Sequence, residues 1–412
     1  MSFHCRFCKS PLEVTFADLG MSPISNDYIR AEHNQAMEPF YPLHAYVCES
    51  CHLVQLVDFE KAENLFRDDY AYFSSYSKSW LEHAKRYAEK MIAAEALGPE
   101  SLVMEIASND GYLLQYFKQA GVKVLGIEPT ANTAKVALEE RGVESEVSFF
   151  GKALAQSLKD RGLQADVMAA NNVLAHVPDI NDFVSGYPLV LKPGGVANLE
   201  FPHLLQQIRY GQFDTIYHEH FSYLSFTVVR KIFAAHGMTV YDVEELPTHG
   251  GSLRIYVRHA GDESRPETPR VAEMLALEAA EGLLDLETYR KFAASVAETK
   301  YDLLTFLIEA KRAGKTVVGY GAPAKGNTLL NYCGVKPDLL PFTTDLSPHK
   351  QGKFLPGSHI PILAPEAILE ARPDYVLILP WNLKDEIITQ LAAVREWGCQ
   401  FVTPIPKIQI HE

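Results

Sequence analysis

SLVMEIASNDGYLLQYFKQAGVKVLGIEPT, Ser101 to Thr130, reads as one strand–turn–helix–strand unit. An apolar run gives the first strand, a turn of small residues ends in Gly111, and an amphipathic helix follows. About twenty residues further on, a second strand ends in an acid, Glu128. In a doubly wound sheet the first turn lets a ligand approach the backbone, and an acid after the second strand accepts from ribose hydroxyls. The turn lacks the GxGxxG spacing of a dinucleotide fold, and Glu105 lies within the first strand rather than after it. The unit therefore points to a nucleotide-like ligand, with an ordinary strand-to-helix turn as the competing reading.

Working outward, Ser79 to Leu97 has a helical pattern, and DVMAANNVLAHVPD gives a strand ending at Asn171 and Asn172. LKPGGVANLEFPHL supplies a Pro-Gly-Gly turn and another strand. MTVYDVEELPTHGGSLRIYVRHA supplies two strands around His249-Gly250-Gly251, an antiparallel hairpin that closes the sheet. Arg270 to Ala313 is helical, with Gly282 as its break. GKTVVGYGAPAKGNTLLNYCG then repeats the strand, turn and helix order, followed by the strands LPFTTDLSP and DYVLILPWN, so a second α/β domain is expected. Its turn holds Pro323 and Lys325 and departs from dinucleotide spacing. A lysine with free backbone N–H groups at a helix start favours a phosphate. Asp345, Lys350 and Lys353 would add a carboxylate and two cations at the next strand end.

At 412 residues the chain exceeds one hydrophobic core, so two or three domains are expected. The 47% hydrophobic and 22% charged composition is that of a soluble globular protein. No apolar run reaches the ~18 to 20 residues of a membrane span, and MSFHCRFCKS lacks the apolar core of a signal peptide, so a cytoplasmic location is expected. A net charge of −14 argues against general affinity for nucleic acid or an anionic membrane and favours small-molecule partners. Four of the six cysteines form two CxxC pairs, Cys5 with Cys8 and Cys48 with Cys51. Two such pairs, each pointing two thiolates at one ion, read as a tetrahedral zinc site. Four thiolates leave no open position, so the zinc would be structural.

IYHEHFSYLS, Ile216 to Ser225, is an unusual mixture for a core strand or a solvated loop. Its His218-Glu219-His220 triplet admits three readings: the start of a metal site, aromatic packing before a helix that begins near Thr227, or a general base with its supporting groups. Strict alternation would put Tyr217 and Glu219 on one face and both histidines on the other, so the third reading requires an irregular loop.

The order of the central segments resembles a class I S-adenosylmethionine-dependent methyltransferase. More narrowly, the zinc-binding start, EIASNDG, ANNVLAHVP, YHEHF, HGGSLR and GYGAPAKGN together resemble the nucleotide-sugar C-methyltransferases, the C-3'-methyltransferase family of deoxysugar biosynthesis, over nearly the whole chain. The resemblance implies a zinc-binding module (residues 1–70), a methyltransferase domain of Rossmann-like α/β fold (71–260), and a helical connection leading to a second Rossmann-like domain that binds the sugar nucleotide (261–412). It places Glu105, Ala107, Ser108, Asn109, Asp110 and Gly111 beside S-adenosylmethionine, Glu128 on its ribose, and Asn171, Asn172 and His176 near its adenine and methionine ends. Catalysis would fall to Tyr217, Glu219 and His220, with His220 as base, Glu219 as its partner or an alternative base, and Tyr217 as positioning donor. A further tyrosine would be Tyr72, with Tyr70 in reserve. His249, Arg254, Lys325 and Asn327 would meet the substrate. The implied reaction is C-methylation of a nucleotide-diphosphate keto-deoxysugar through a base-generated enolate. Its rivals are O- or N-methylation of a sugar or related small molecule, a non-catalytic binding protein that keeps the fold, and, disfavoured by its turn chemistry, an oxidoreductase holding a dinucleotide at Gly319-Tyr320-Gly321.

Overall fold

Alternation sets the first sheet. In Tyr41–Val47 (β2), Leu43, Ala45 and Val47 are buried while their neighbours are half-buried, the period of a strand with one covered face. β2 pairs antiparallel with Val14–Ser22 (β1) and with Val54–Leu56 (β3). The structure, a computed structural model, describes residues 3–59 and 73–411.

The central sheet is built on parallel strands, whose near-continuous apolar runs suit burial on both faces. Leu102–Ile106 (β4) lies between Lys123–Ile127 (β5) and Ala165–Asn171 (β7), with Ser145–Glu146 (β6) beyond β5 and Leu191–Pro202 (β8) beyond β7. Ser222–Tyr223 (β9) leaves this domain and adds to β3 as the fourth strand of the first sheet. Met238–Leu246 (β10) and Ser252–His259 (β11) form the expected antiparallel hairpin, and β11 pairs with β8. The order β10-β11-β8-β7-β4-β5-β6 reverses direction at β4 and β7, and the crevice beyond their carboxyl ends is where a doubly wound sheet binds its ligand. The Pro-Gly-Gly stretch differs from expectation. It lies inside β8 as an irregularity between Ala165 and Val167 of the partner strand, with Gly194 at φ +76°, rather than as a turn preceding the strand.

Helices Pro269–Ala280 and Leu286–Arg312 connect to a third sheet. Its order is Ile362–Leu363 (β14), Thr343–Thr344 (β13), Val317–Tyr320 (β12), Tyr375–Ile378 (β15), Gln400–Thr403 (β16) and Gln409–His411 (β17), parallel except for the last pair. It has its own reversal point, between β12 and β15. The three parts do not keep separate interiors. Phe16 and Leu43 of the first sheet share one apolar cluster with Ile216, Tyr223, Leu303 and Leu329. Among the described residues no helix is long and apolar enough to cross a membrane.

Candidate active site

The two reversal points face one another across a cavity of about 950 Å³. Its central-domain wall begins at the turn after β4. Ala107 and Asn109 adopt left-handed conformations, φ +55° and +49°, uncommon for side-chain-bearing residues and of the kind that gathers at ligand sites. Backbone N–H groups of Ala107 and Ser108 donate to the Ile127 carbonyl. That approach is permitted by Gly126, where an added Cβ would lie 2.3 Å from Ser108 Oγ.

Glu128 lines the cavity at the end of β5. Its Oε1 accepts from the Thr130 N–H and hydroxyl, and its Oε2 from the Asn109 N–H at 2.8 Å, leaving a lone pair of Oε2 for a ligand hydroxyl. Burial raises its pKa, against the hydrogen bonds from Thr130 and Asn109. Asn171, Asn172 and His176, from the end of β7 and the turn beyond it, complete this wall. Glu128→Ala is expected to weaken S-adenosylhomocysteine about 10- to 100-fold by calorimetry, the loss of a charge-assisted bond. An unchanged affinity would remove Glu128 from the site.

Four residues read from the sequence as cofactor contacts lie behind this wall and do not line the cavity. Glu105 is fully buried inside β4, where burial drives its pKa well above the carboxylate range. Ser108 packs on Gly126, and Gly111 fits tightly against Ala137 and Val143. Asp110 is turned away to accept from the Ser75 N–H and hydroxyl.

The Ile216 to Ser225 stretch contains a tight turn, not an extended strand. The His220 N–H donates to the Tyr217 carbonyl at 2.8 Å, which brings Tyr217 and His220 to the same side. Their rings lie 3.9 Å apart, and the Tyr217 hydroxyl is 2.7 Å from His220 Nε2. His220 Nδ1 is 2.8 Å from the Thr215 carbonyl, which can only accept. Nδ1 therefore carries the proton, and Nε2 accepts from Tyr217. Burial, then the neighbouring His176, holds the His220 pKa well below its ordinary value, so the imidazole is neutral. His218 points the other way, with Nε2 3.2 Å from the Pro42 carbonyl of β2. That separation disposes of the metal reading for this triplet, and among the described residues the only cluster suited to a metal is the four cysteines.

Glu219 faces the cavity, but its carboxylate meets Asn26 at 2.6 Å, and Thr215 rather than Glu219 orients the imidazole of His220. The direct Glu219–His220 partnership expected from the sequence is thus replaced. Burial pushes the Glu219 pKa up to about 7, within reach of proton exchange at neutral pH.

From the third sheet, Lys325 lines the cavity with its ammonium 2.7 Å from Asn382 Oδ1 and 4.8 Å over the Trp381 ring. Burial lowers its pKa, partly offset by Asp214. Lys350 and Lys353 also line it. Asn327 does not; two residues beyond Lys325 on the helix Ala324–Cys333, it projects to the opposite side and is fully buried. Nor does Arg254. In β11 it stands opposite Glu200 of β8, and its guanidinium bonds that carboxylate. Glu200 also accepts from Thr248, next to His249, which does line the cavity. Tyr72 and Tyr70 lie outside the described residues. Asn26, Tyr28, Trp80 and Thr215 line the cavity without having been anticipated; no motif spacing marks them.

The cysteines fit zinc. The four Sγ atoms lie within 4.8 Å of one another, with Cys5 and Cys51 3.6 Å apart and Cys8 and Cys48 3.5 Å apart. A tetrahedron with Zn–S bonds near 2.3 Å has edges of ~3.8 Å. Gln55 Nε2 donates to Cys5 Sγ, a second support for a thiolate.

The doubly wound sheet, its left-handed turn and its buried acid are those of a class I methyltransferase, and the comparisons agree. Residues 80–243 match the family model of a methyltransferase domain, residues 247–406 that of a C-methyltransferase C-terminal domain, and residues 5–66 that of a zinc binding domain. C-methyltransferase NovU of Streptomyces niveus is 35% identical over 406 residues, covering 98% of this chain and 96% of that protein. The chain belongs to this C-methyltransferase family. Ubiquinone biosynthesis O-methyltransferase of Chelativorans sp. (strain BNC1) is similar over 95 residues only, at 32% identity, covering 23% of this chain and 37% of that protein. The magnesium protoporphyrin IX methyltransferase of Synechocystis PCC 6803, solved with bound SAM, has a TM-score of 0.33 at 15% identity, covering 43% of this chain and 78% of that one.

Proposed function

We propose that the protein transfers the methyl group of S-adenosylmethionine to a carbon of a nucleotide-linked keto-deoxysugar, at C-3', through an enolate. The observation that carries this reading is the meeting of two sheet reversal points on one cavity, which the Tyr217–His220 pair, the acid Glu128 and the cations Lys325, Lys350 and Lys353 all line. When bound, S-adenosylmethionine supplies an electrophilic methyl on a sulfonium. The residues that would hold it are the Ala107–Asn109 turn, Glu128, Asn171 and Asn172. The lysines suit a diphosphate.

A carbon nucleophile must be made in place. Neutral His220, its Nδ1–H fixed on Thr215, takes the α-proton at Nε2, and the electron pair of the broken C–H bond moves into the ketone to give the enolate. Tyr217, released from Nε2, donates to the oxygen on which charge develops. The carbon–carbon bond forms as the sulfur–methyl bond breaks, and the ketone is restored.

Product NMR tests the reading. A new methyl on carbon supports it, whereas a methyl on oxygen or nitrogen replaces it with heteroatom methylation. Lys325→Ala is expected to weaken a nucleoside diphosphate at least about 10-fold while leaving S-adenosylhomocysteine binding intact. Equal affinity for the diphosphate would move that subsite elsewhere.

A further inference from the structure

The turn that carries Glu219 and His220 is stitched into the N-terminal module. β3 pairs with β9, the Leu56 N–H donates to the Phe221 carbonyl at 3.0 Å, and His218 bonds the Pro42 carbonyl. From the same module, the chain between β1 and β2 crosses to the cavity. There Asn26 Nδ2 lies 2.6 Å from Glu219 Oε2. The Tyr28 hydroxyl donates to the Ala322 carbonyl of the C-terminal domain at 2.6 Å and lies 3.2 Å from Asn26 Oδ1. The ionised carboxylate beside Nδ2 can only accept, which fixes which way the amide points.

We propose that Asn26, supplied by the N-terminal module, is a positioning residue of the transfer reaction: its amide aims the Glu219 carboxylate into the cavity and favours the ionised form. The inference rests on the proton chemistry assigned above to the turn around Glu219. An amide does not titrate, so it acts on the carboxylate as a donor alone. The other groups around Glu219 are Asp27 and Tyr28 of the same module, His176, whose Nδ1 bonds the Glu219 main-chain carbonyl, and His220, Lys325 and Lys350 around the cavity. Burial raises Glu219 most, Asn26 opposes it, and Asp27 adds to the rise. Removing the donor therefore moves ionisation to higher pH. The same contact gives the module a part in the site beyond holding its metal.

The test needs no substrate. In zinc-loaded full-length protein, the infrared band of the protonated Glu219 carboxyl is identified as the one that Glu219→Gln removes, and its midpoint is followed against pH. Asn26→Ala is expected to raise that midpoint by about one pH unit with zinc content unchanged. Should Asn26→Ala not fold, Asn26→Asp removes the donor, adds like charge, and must shift the midpoint the same way. A midpoint that stays put in the variant that folds overturns the proposal. Methyl transfer is assayed separately: full activity in Glu219→Gln would show that the carboxylate held by Asn26 takes no part in the transfer, and would overturn the positioning role even if the titration shifts.

Discussion

His220→Ala is expected to lower methyl transfer about 100- to 10,000-fold, the range for losing a positioned general base. With a suitable ketosugar it should also abolish washout of the α-proton into heavy water when no methyl donor is present. The argument is geometric. The Thr215 carbonyl fixes the proton on Nδ1, so the lone pair on Nε2 is already aimed, and alanine removes both the acceptor and the partner that holds the Tyr217 hydroxyl. Burial suppresses the charged imidazole, which keeps this acceptor unprotonated across the neutral range. Washout near the normal rate would transfer the role to Glu219, whose pKa of about 7 also suits it.

Zinc removal is the second large effect. Cys48→Ser, or exhaustive chelation, should remove stoichiometric zinc, measured by atomic absorption, and methyl transfer should fall by at least about 100-fold together with a lowered melting temperature. Structural zinc in small domains contributes about 10–16 kcal/mol of apparent binding free energy, far above the stability margin of a module of this size. Cys48 follows directly on β2, which supports His218, and Cys51 precedes β3, which holds β9. Loosening them releases both flanks of the Tyr217–His220 turn. Full activity in zinc-free protein would separate the module from catalysis.

The sequence made visible whatever is periodic or local. The strand at Leu102–Ile106, its acid-ended neighbour, the closing hairpin and the repeated strand–turn–helix order all have spacings that one element imposes on itself. The four cysteines were equally plain. What escaped depends on contacts between distant segments. Arg254 reads as a cleft cation until its cross-strand partner Glu200 is known. Asn327 follows Lys325 by two residues, and only the helix places them on opposite sides. Asn26 sits in a stretch with no motif, and its meaning comes from a carboxylate 193 positions away. For Glu219 and His220, the residues were legible and their relation was not, because a four-residue turn replaced the alternation of a strand.

The pairing of β3 with β9 also dictates an order of assembly. Val54 and Tyr223 are neighbours in the sheet yet roughly 170 residues apart in the chain, a closure whose entropy cost is repaid only after the central sheet has formed. During synthesis the N-terminal module must wait with β3 as an open edge, a surface that invites pairing with other chains. The same dependence governs dissection of the molecule. A fragment cut between the module and the central domain leaves one piece with that bare edge and the other with its Tyr217–His220 turn unsupported, so the working unit is larger than any one of its three sheets.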